Sequence, residues 1–127
     1  MKNIFVLACL SGALAVALGA FGAHGLKPHL DTYQTDIYNK AVLYQFIHTL
    51  IIAIISWHSS ERKIVLPAML FLAGIVLFSG SLYLLATAHL TGISKMLLGP
   101  ITPIGGLCFI AGWISLAMLP AASKGKQ

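Results

Sequence analysis

Six polar side chains set in otherwise apolar sequence carry most of the chemistry this chain could perform: Gln45, His48, Ser79, Ser81, Tyr83 and Thr102. A polar group in hydrocarbon is unfavourable unless paired, so in a membrane such residues mark either a ligand pathway or a hydrogen-bonded joint between helices. Brought together in one half of a bundle, Gln45, His48 and Tyr83 could line a small polar pocket. With the positive end of a helix beginning near Thr102, that pocket would suit an anion or a carbonyl oxygen. The alternative is that the six residues bond to one another and fix helix register. The second reading is preferred, because such contacts are the ordinary joints of helical membrane proteins.

Other chemistries find less support. No carboxylate lies deep in an apolar run, so a Ser–His pair would lack its orienting acid, and a proton relay through Asp or Glu has no members. Haem ligation between helices needs two deep histidines, and only His48 stands at mid-helix depth. His24, His29 and His89 fall near helix ends with Asp31 and Asp36, at spacings that match no zinc signature. Cys9 and Cys108 sit inside apolar segments as small hydrophobes, and there is no CxxC. No catalytic residue, metal or cofactor is therefore expected.

The elements that must hold these residues follow from composition. Of 127 residues, 58% are hydrophobic and 9% charged, against about 25% charged in a soluble domain, and mean hydropathy is +0.91. The expected fold is all-α: an integral membrane bundle of four transmembrane helices. It forms a single domain over 1–127, with helices near 3–23, 31–58, 64–90 and 97–119, which leaves no room for a soluble domain. The net charge of +5 comes from basic residues placed singly or in pairs beside apolar runs, as topology signals are. It forms no basic stripe with interleaved aromatics, so nucleic acid is not an expected partner.

The first apolar run, Asn3 to Ala23, is just long enough to span at about 1.5 Å per residue. A cleaved signal peptide has a similar start. However, Ser11, Ala15, Gly19 and Ala23 form a small-residue ladder at i, i+4, which lets helices approach closely and favours a retained helix. The segment Leu26–Leu30 reads as a break. Asp31 follows as an N-cap, with Gln34 completing a capping box, and Asp36 and Lys40 pair at i, i+4. Only Ala41–Trp57 of the second helix is apolar enough to lie in lipid, with Tyr38 and Trp57 as anchors at its two ends. Residues His58–Lys63 make a polar turn. Pro67 falls in the first turn of the third helix, where its missing N–H matters least. After a break at Thr91–Lys95, Met96–Ile101 is expected to be irregular, and Pro103 to open the fourth helix with Thr102 as its N-cap. Trp113 is expected to pack on a neighbouring helix or face lipid.

Lys2, Arg62, Lys63, Lys124 and Lys126 fall on one side of this topology and Lys27, Lys40 and Lys95 on the other. The excess places both termini in the cytoplasm.

Four motifs in order complete the reading: Gly22-Ala23-His24-Gly25-Leu26, Tyr44-Gln45 with His48, Phe78-Ser79-Gly80-Ser81-Leu82-Tyr83, and Gly99-Pro100-Ile101-Thr102-Pro103-Ile104-Gly105-Gly106. With them the chain resembles the small bacterial inner-membrane proteins of domain-of-unknown-function family 423, which is similar to the eukaryotic transmembrane protein 256. The resemblance covers essentially the whole chain and implies a multi-helix protein of the bacterial plasma membrane, with no established activity. The functional expectation is a non-enzymatic membrane component that binds lipids or partner membrane proteins, self-association included. The alternatives are a subunit of an oligomeric transporter or channel, and a lipid- or quinone-binding enzyme acting through His48 and Tyr83.

Overall fold

In the computed structural model, which describes residues 2–58 and 61–119, the chain forms four helices long and apolar enough to cross a membrane. These are α1 (Lys2–His29), α2 (Thr32–His58), α3 (Arg62–Ala86) and α4 (Lys95–Ala117). There is no strand among the described residues. Met1, Ser59, Ser60 and the tail from Pro120, with Lys124 and Lys126, lie outside them.

Short connections force consecutive helices to be antiparallel neighbours. α1 packs along α2 and α3 along α4, and the two pairs are joined where α2 meets α3. Ala8, Ile52, Ala68, Phe71, Ile75 and Phe109 form the core toward the end where α1 begins and α4 finishes, here the proximal end. Leu26, Ile37, Tyr38, Ala41, Leu82 and Ala86 form the core at the distal end.

The face of α1 turned to α2 is small, and it includes Ser11, Ala15 and Gly19 of the i, i+4 ladder but not Ala23. Ala8 and Ala15 are fully buried, and added side chains at Gly12 and Gly19 would press on Thr49 and Val42. Gly22 continues the stripe against the Tyr38 ring, where a Cβ would lie 2.8 Å from Cδ1. Ala23 is exposed. Each i, i+4 step advances about 40° round a helix, so a fourth member stands about 120° from the first. Steps of four and three, through 8, 12, 15, 19 and 22, stay on one face.

The expected break at Leu26–Leu30 begins late. The backbone continues as a π turn over Gly22–Leu26 and a 3-10 turn over Lys27–His29, and becomes extended only at Leu30. Pro28 is accommodated at the start of the 3-10 turn, where no N–H is needed. The capping box of α2 forms in both directions, with the Gln34 amide N–H donating to Asp31 Oδ1 (2.7 Å) and that of Asp31 to Gln34 Oε1 (2.9 Å). Lys40 meets Asp36 at 2.7 Å. Trp57 is exposed at the proximal end of α2, its ring beside Phe5. Tyr38 departs from its expected role as an interfacial anchor: it is buried, and its hydroxyl donates to the Leu18 carbonyl at 2.9 Å.

α3 contains a π turn at Ile75–Ser79. A short helix Ala88–Thr91 follows α3 and ends on Gly92, whose left-handed φ of 73° closes it. α4 begins earlier than expected, with a helical turn at Lys95–Leu98 and a bend at Gly99–Pro100 before the run Ile101–Ala117. Thr102 is therefore inside the helix and caps nothing; its hydroxyl is turned sideways to α3. α3 and α4 interlock through glycines. The Phe109 ring covers Gly74, the Phe71 ring covers Gly112, and Gly105 lies directly on the backbone of Leu77 and Phe78.

Candidate functional site

Gln45 is buried at the middle of α2 and is the hub of a network across three helices. Its amide donates to the Ser11 carbonyl on α1 at 3.0 Å. Its carbonyl oxygen accepts from the Tyr83 hydroxyl on α3 at 2.8 Å. The hydroxyls of Ser11 and Thr49 share a further bond of 2.8 Å, and the Tyr83 ring meets Tyr38 edge to face at 5.0 Å. Thr49 was not singled out from the sequence, although it lies one turn from Gln45 on the same helix face.

His48, one turn along from Gln45 on a neighbouring face, belongs to a different environment. Its Nδ1 lies 2.7 Å from the Tyr44 carbonyl, and the indole N–H of Trp113 donates to its Nε2 at 3.2 Å. An indole can only donate, so Nε2 is an acceptor, Nδ1 carries the proton, and the imidazole is neutral with both nitrogens engaged. Its ring stacks on Phe109 at 3.6 Å between centroids, with an interplanar angle of 11°. Phe71 and Tyr44 flank it. Trp113 thus packs on a neighbouring helix, and its N–H has a specific acceptor there.

The third cluster joins α3 to α4. The Ser81 and Thr102 hydroxyls share a 2.7 Å bond that either can donate; each also has a carbonyl within reach on its own helix, Phe78 at 2.9 Å for Ser81 and Leu98 at 3.4 Å for Thr102. Ser79 is separate: its hydroxyl is buried at the end of the π turn and has no hydrogen-bond partner among the described residues. The six sequence candidates therefore do not converge on one pocket. They divide into a Gln45–Tyr83 pair, a Ser81–Thr102 pair, His48 in an aromatic box, and Ser79 alone.

At the distal surface His89 is held from two sides. Its Nδ1 lies 3.2 Å from the Gln34 amide nitrogen and its Nε2 lies 2.9 Å from the His29 carbonyl. The ring of His24 turns back to the Ala20 carbonyl at 3.0 Å. Among the described residues no three of His, Cys, Asp or Glu converge as a metal site.

Comparison with known proteins agrees with this architecture. The family model described as protein of unknown function (DUF423) matches residues 18–106. A UPF0382 membrane protein of Staphylococcus aureus is 44% identical over 118 residues, covering 91% of this chain and 93% of the relative. One of Haemophilus influenzae is 41% identical over 127 residues, covering 98% of each. A third, of Schizosaccharomyces pombe, is 35% identical over 115 residues, covering 90% of this chain and 98% of the relative. No solved structure gives a significant match.

Proposed function

The chain belongs to the DUF423 family of membrane proteins, and on that footing we propose that it is a non-enzymatic component of the bacterial plasma membrane. It acts by binding lipids or partner membrane proteins rather than by converting a substrate. One observation carries this reading: five of the six polar candidates have their hydrogen-bonding groups engaged within the bundle. Reactive side chains are held ready for a substrate, whereas the Tyr83 hydroxyl donates to Gln45, the Ser81 and Thr102 hydroxyls bond to each other, and both nitrogens of His48 are occupied. A transport path would need those same groups to face water.

The test is covalent capture in native membranes, followed by purification and identification of retained lipids and crosslinked proteins. Reproducible retention of either supports the binding role. A protein recovered free of both, with no self-association in lipid, contradicts it.

The orientation completes the proposal. Lys2, Arg62 and Lys63 at the proximal end, with Lys124 and Lys126 of the tail, outnumber Lys27, Lys40 and Lys95, which favours cytoplasmic termini. A fluorescent protein fused after Gln127 should fold and fluoresce, and alkaline phosphatase fused there should be inactive; the opposite pair of results would reverse the orientation.

A further inference from the structure

A groove of about 340 Å³ opens on the side of the bundle at its distal end, within the roughly 300–1,000 Å³ typical of ligand cavities. It exists because α1 and α3 both pack on α2 and leave a channel between them. Leu18, Phe21 and Leu26 of α1 make one wall, and Leu84 and Leu90 make the other. The rings of Tyr38 and Tyr83, in edge contact, line it between the walls. Tyr38 can lie so low because its neighbour on α1 is Gly22, which has no side chain to collide with its ring.

The lining also contains four hydroxyls, and the direction of each proton decides what the groove can hold. Tyr38 donates to the Leu18 carbonyl and Tyr83 to Gln45 Oε1. Thr87 donates to the Tyr83 carbonyl at 2.9 Å and Thr91 to the Thr87 carbonyl at 3.1 Å. All four donors are thus directed into the protein, and what faces the groove is aromatic ring, methyl and leucine. A polar ligand would lose its hydration on entering without gaining a donor in return; a hydrocarbon loses nothing.

The groove is also continuous with the surface that meets the bilayer. Phe21 and Leu84 on its walls are 55% and 41% exposed on helices of membrane-spanning length, and Leu90, on the short helix after α3, is 50% exposed. An occupant therefore enters sideways from lipid. We infer that this groove is a binding site for one acyl chain of a bilayer lipid. The inference rests on the binding role proposed above and names its ligand class. A concave slot surrounds a chain on several sides, whereas the convex faces of α1 and α4 touch lipid on one side only, so the chain in the groove exchanges more slowly than its neighbours.

The test uses the full chain reconstituted in vesicles of phosphatidylethanolamine and phosphatidylglycerol, with a phosphatidylethanolamine probe carrying a photoreactive diazirine in its acyl chain. After irradiation, adducts are mapped by mass spectrometry. Adducts concentrated on 18–26 and 83–91, above those at the more exposed Leu107 and Ile110 of α4 (64% and 57%), are the expected result. Leu84→Trp, which fills the groove, should abolish the excess, while Leu10→Trp, the same enlargement at a 62% exposed position of α1 outside the groove lining, controls for folding and should retain it. Adducts distributed simply in proportion to exposure would overturn the inference and leave the general binding role standing. Groove adducts on a probe recovered chemically converted would uphold the site and overturn the non-enzymatic reading.

Discussion

Gly105 and Gly106 are adjacent in sequence, yet replacing each with alanine should have very unequal consequences. A Cβ at Gly105 would stand 2.7 Å from the Phe78 Cα and 2.8 Å from the Leu77 carbonyl carbon. These are backbone atoms of α3, which no rotamer change can move aside. Carbon atoms are at rest at about 3.5–4.0 Å, so α4 must withdraw from α3 by about 1 Å at this crossing. The withdrawal also loosens Phe109 on Gly74 and Phe71 on Gly112, the two other points where these helices interlock. Overpacking of this kind costs about 1–3 kcal/mol, and Gly105→Ala should fall near the upper end. Helix propensity gives little relief, since a span in lipid stays helical even when the bundle comes apart. At Gly106 the nearest atoms to a new Cβ are on the Phe78 ring at 3.8 and 3.9 Å, an ordinary contact, so Gly106→Ala should change stability by less than about 0.5 kcal/mol. Reversible unfolding in mixed micelles, followed by steric trapping or by dodecyl sulfate titration, measures both. Equal stability for the two variants, or a greater loss at Gly106, would refute the close α3–α4 crossing.

Tyr83→Phe removes the donor to Gln45 and leaves a buried carbonyl oxygen unpaired, so it should lower stability by about 1–3 kcal/mol in the same assay; no change would mean that the bond is absent in lipid. Trp113→Phe should cost a similar amount by stripping the donor from His48 Nε2. Combining it with His48→Phe should cost less than the sum of the two, and strict additivity would argue against the Trp113–His48 bond. Asp31→Ala removes one half of the capping box and should cost about 0.5–2 kcal/mol. Hydrogen exchange at the Gln34 amide, which Asp31 now accepts, should accelerate; unchanged exchange there would show that the cap does not protect α2.

Much of this arrangement is legible in the sequence because it depends on local chemistry. Four apolar runs of spanning length, the Asp31–Gln34 box and the Asp36–Lys40 pair are set by residues a few positions apart, and the structure contains each. What could not be read depends on rotation and partner choice between helices. Ala23 lies off the packing face because a run of i, i+4 steps drifts round the helix, while Gly22, one residue earlier, meets Tyr38. Thr102 has the composition of a cap, but the helical turn Lys95–Leu98 precedes it and its hydroxyl reaches Ser81 on another helix. Tyr38 looks like an interfacial anchor by position along α2, and only its rotation toward Leu18 makes it a core residue. Trp113 and His48 are 65 residues apart, with the whole of α3 between them in sequence, so their bond could not be inferred from spacing. The π turns at Gly22–Leu26 and Ile75–Ser79 have no sequence signature of comparable strength to a cap.

On the proposed reading, the polar residues of the bundle serve one another and the distal groove serves hydrocarbon. An experimental density map of the protein in a lipid nanodisc tests this most directly. Tyr83 should be joined to Gln45, Thr102 to Ser81 and Trp113 to His48 with nothing between them, and a ribbon of acyl-chain density should lie in the groove along Leu18, Leu26 and Leu84. Density of a polar ligand inserted between Gln45 and Tyr83, or between Ser81 and Thr102, would contradict it and turn the centre of the bundle into a binding site.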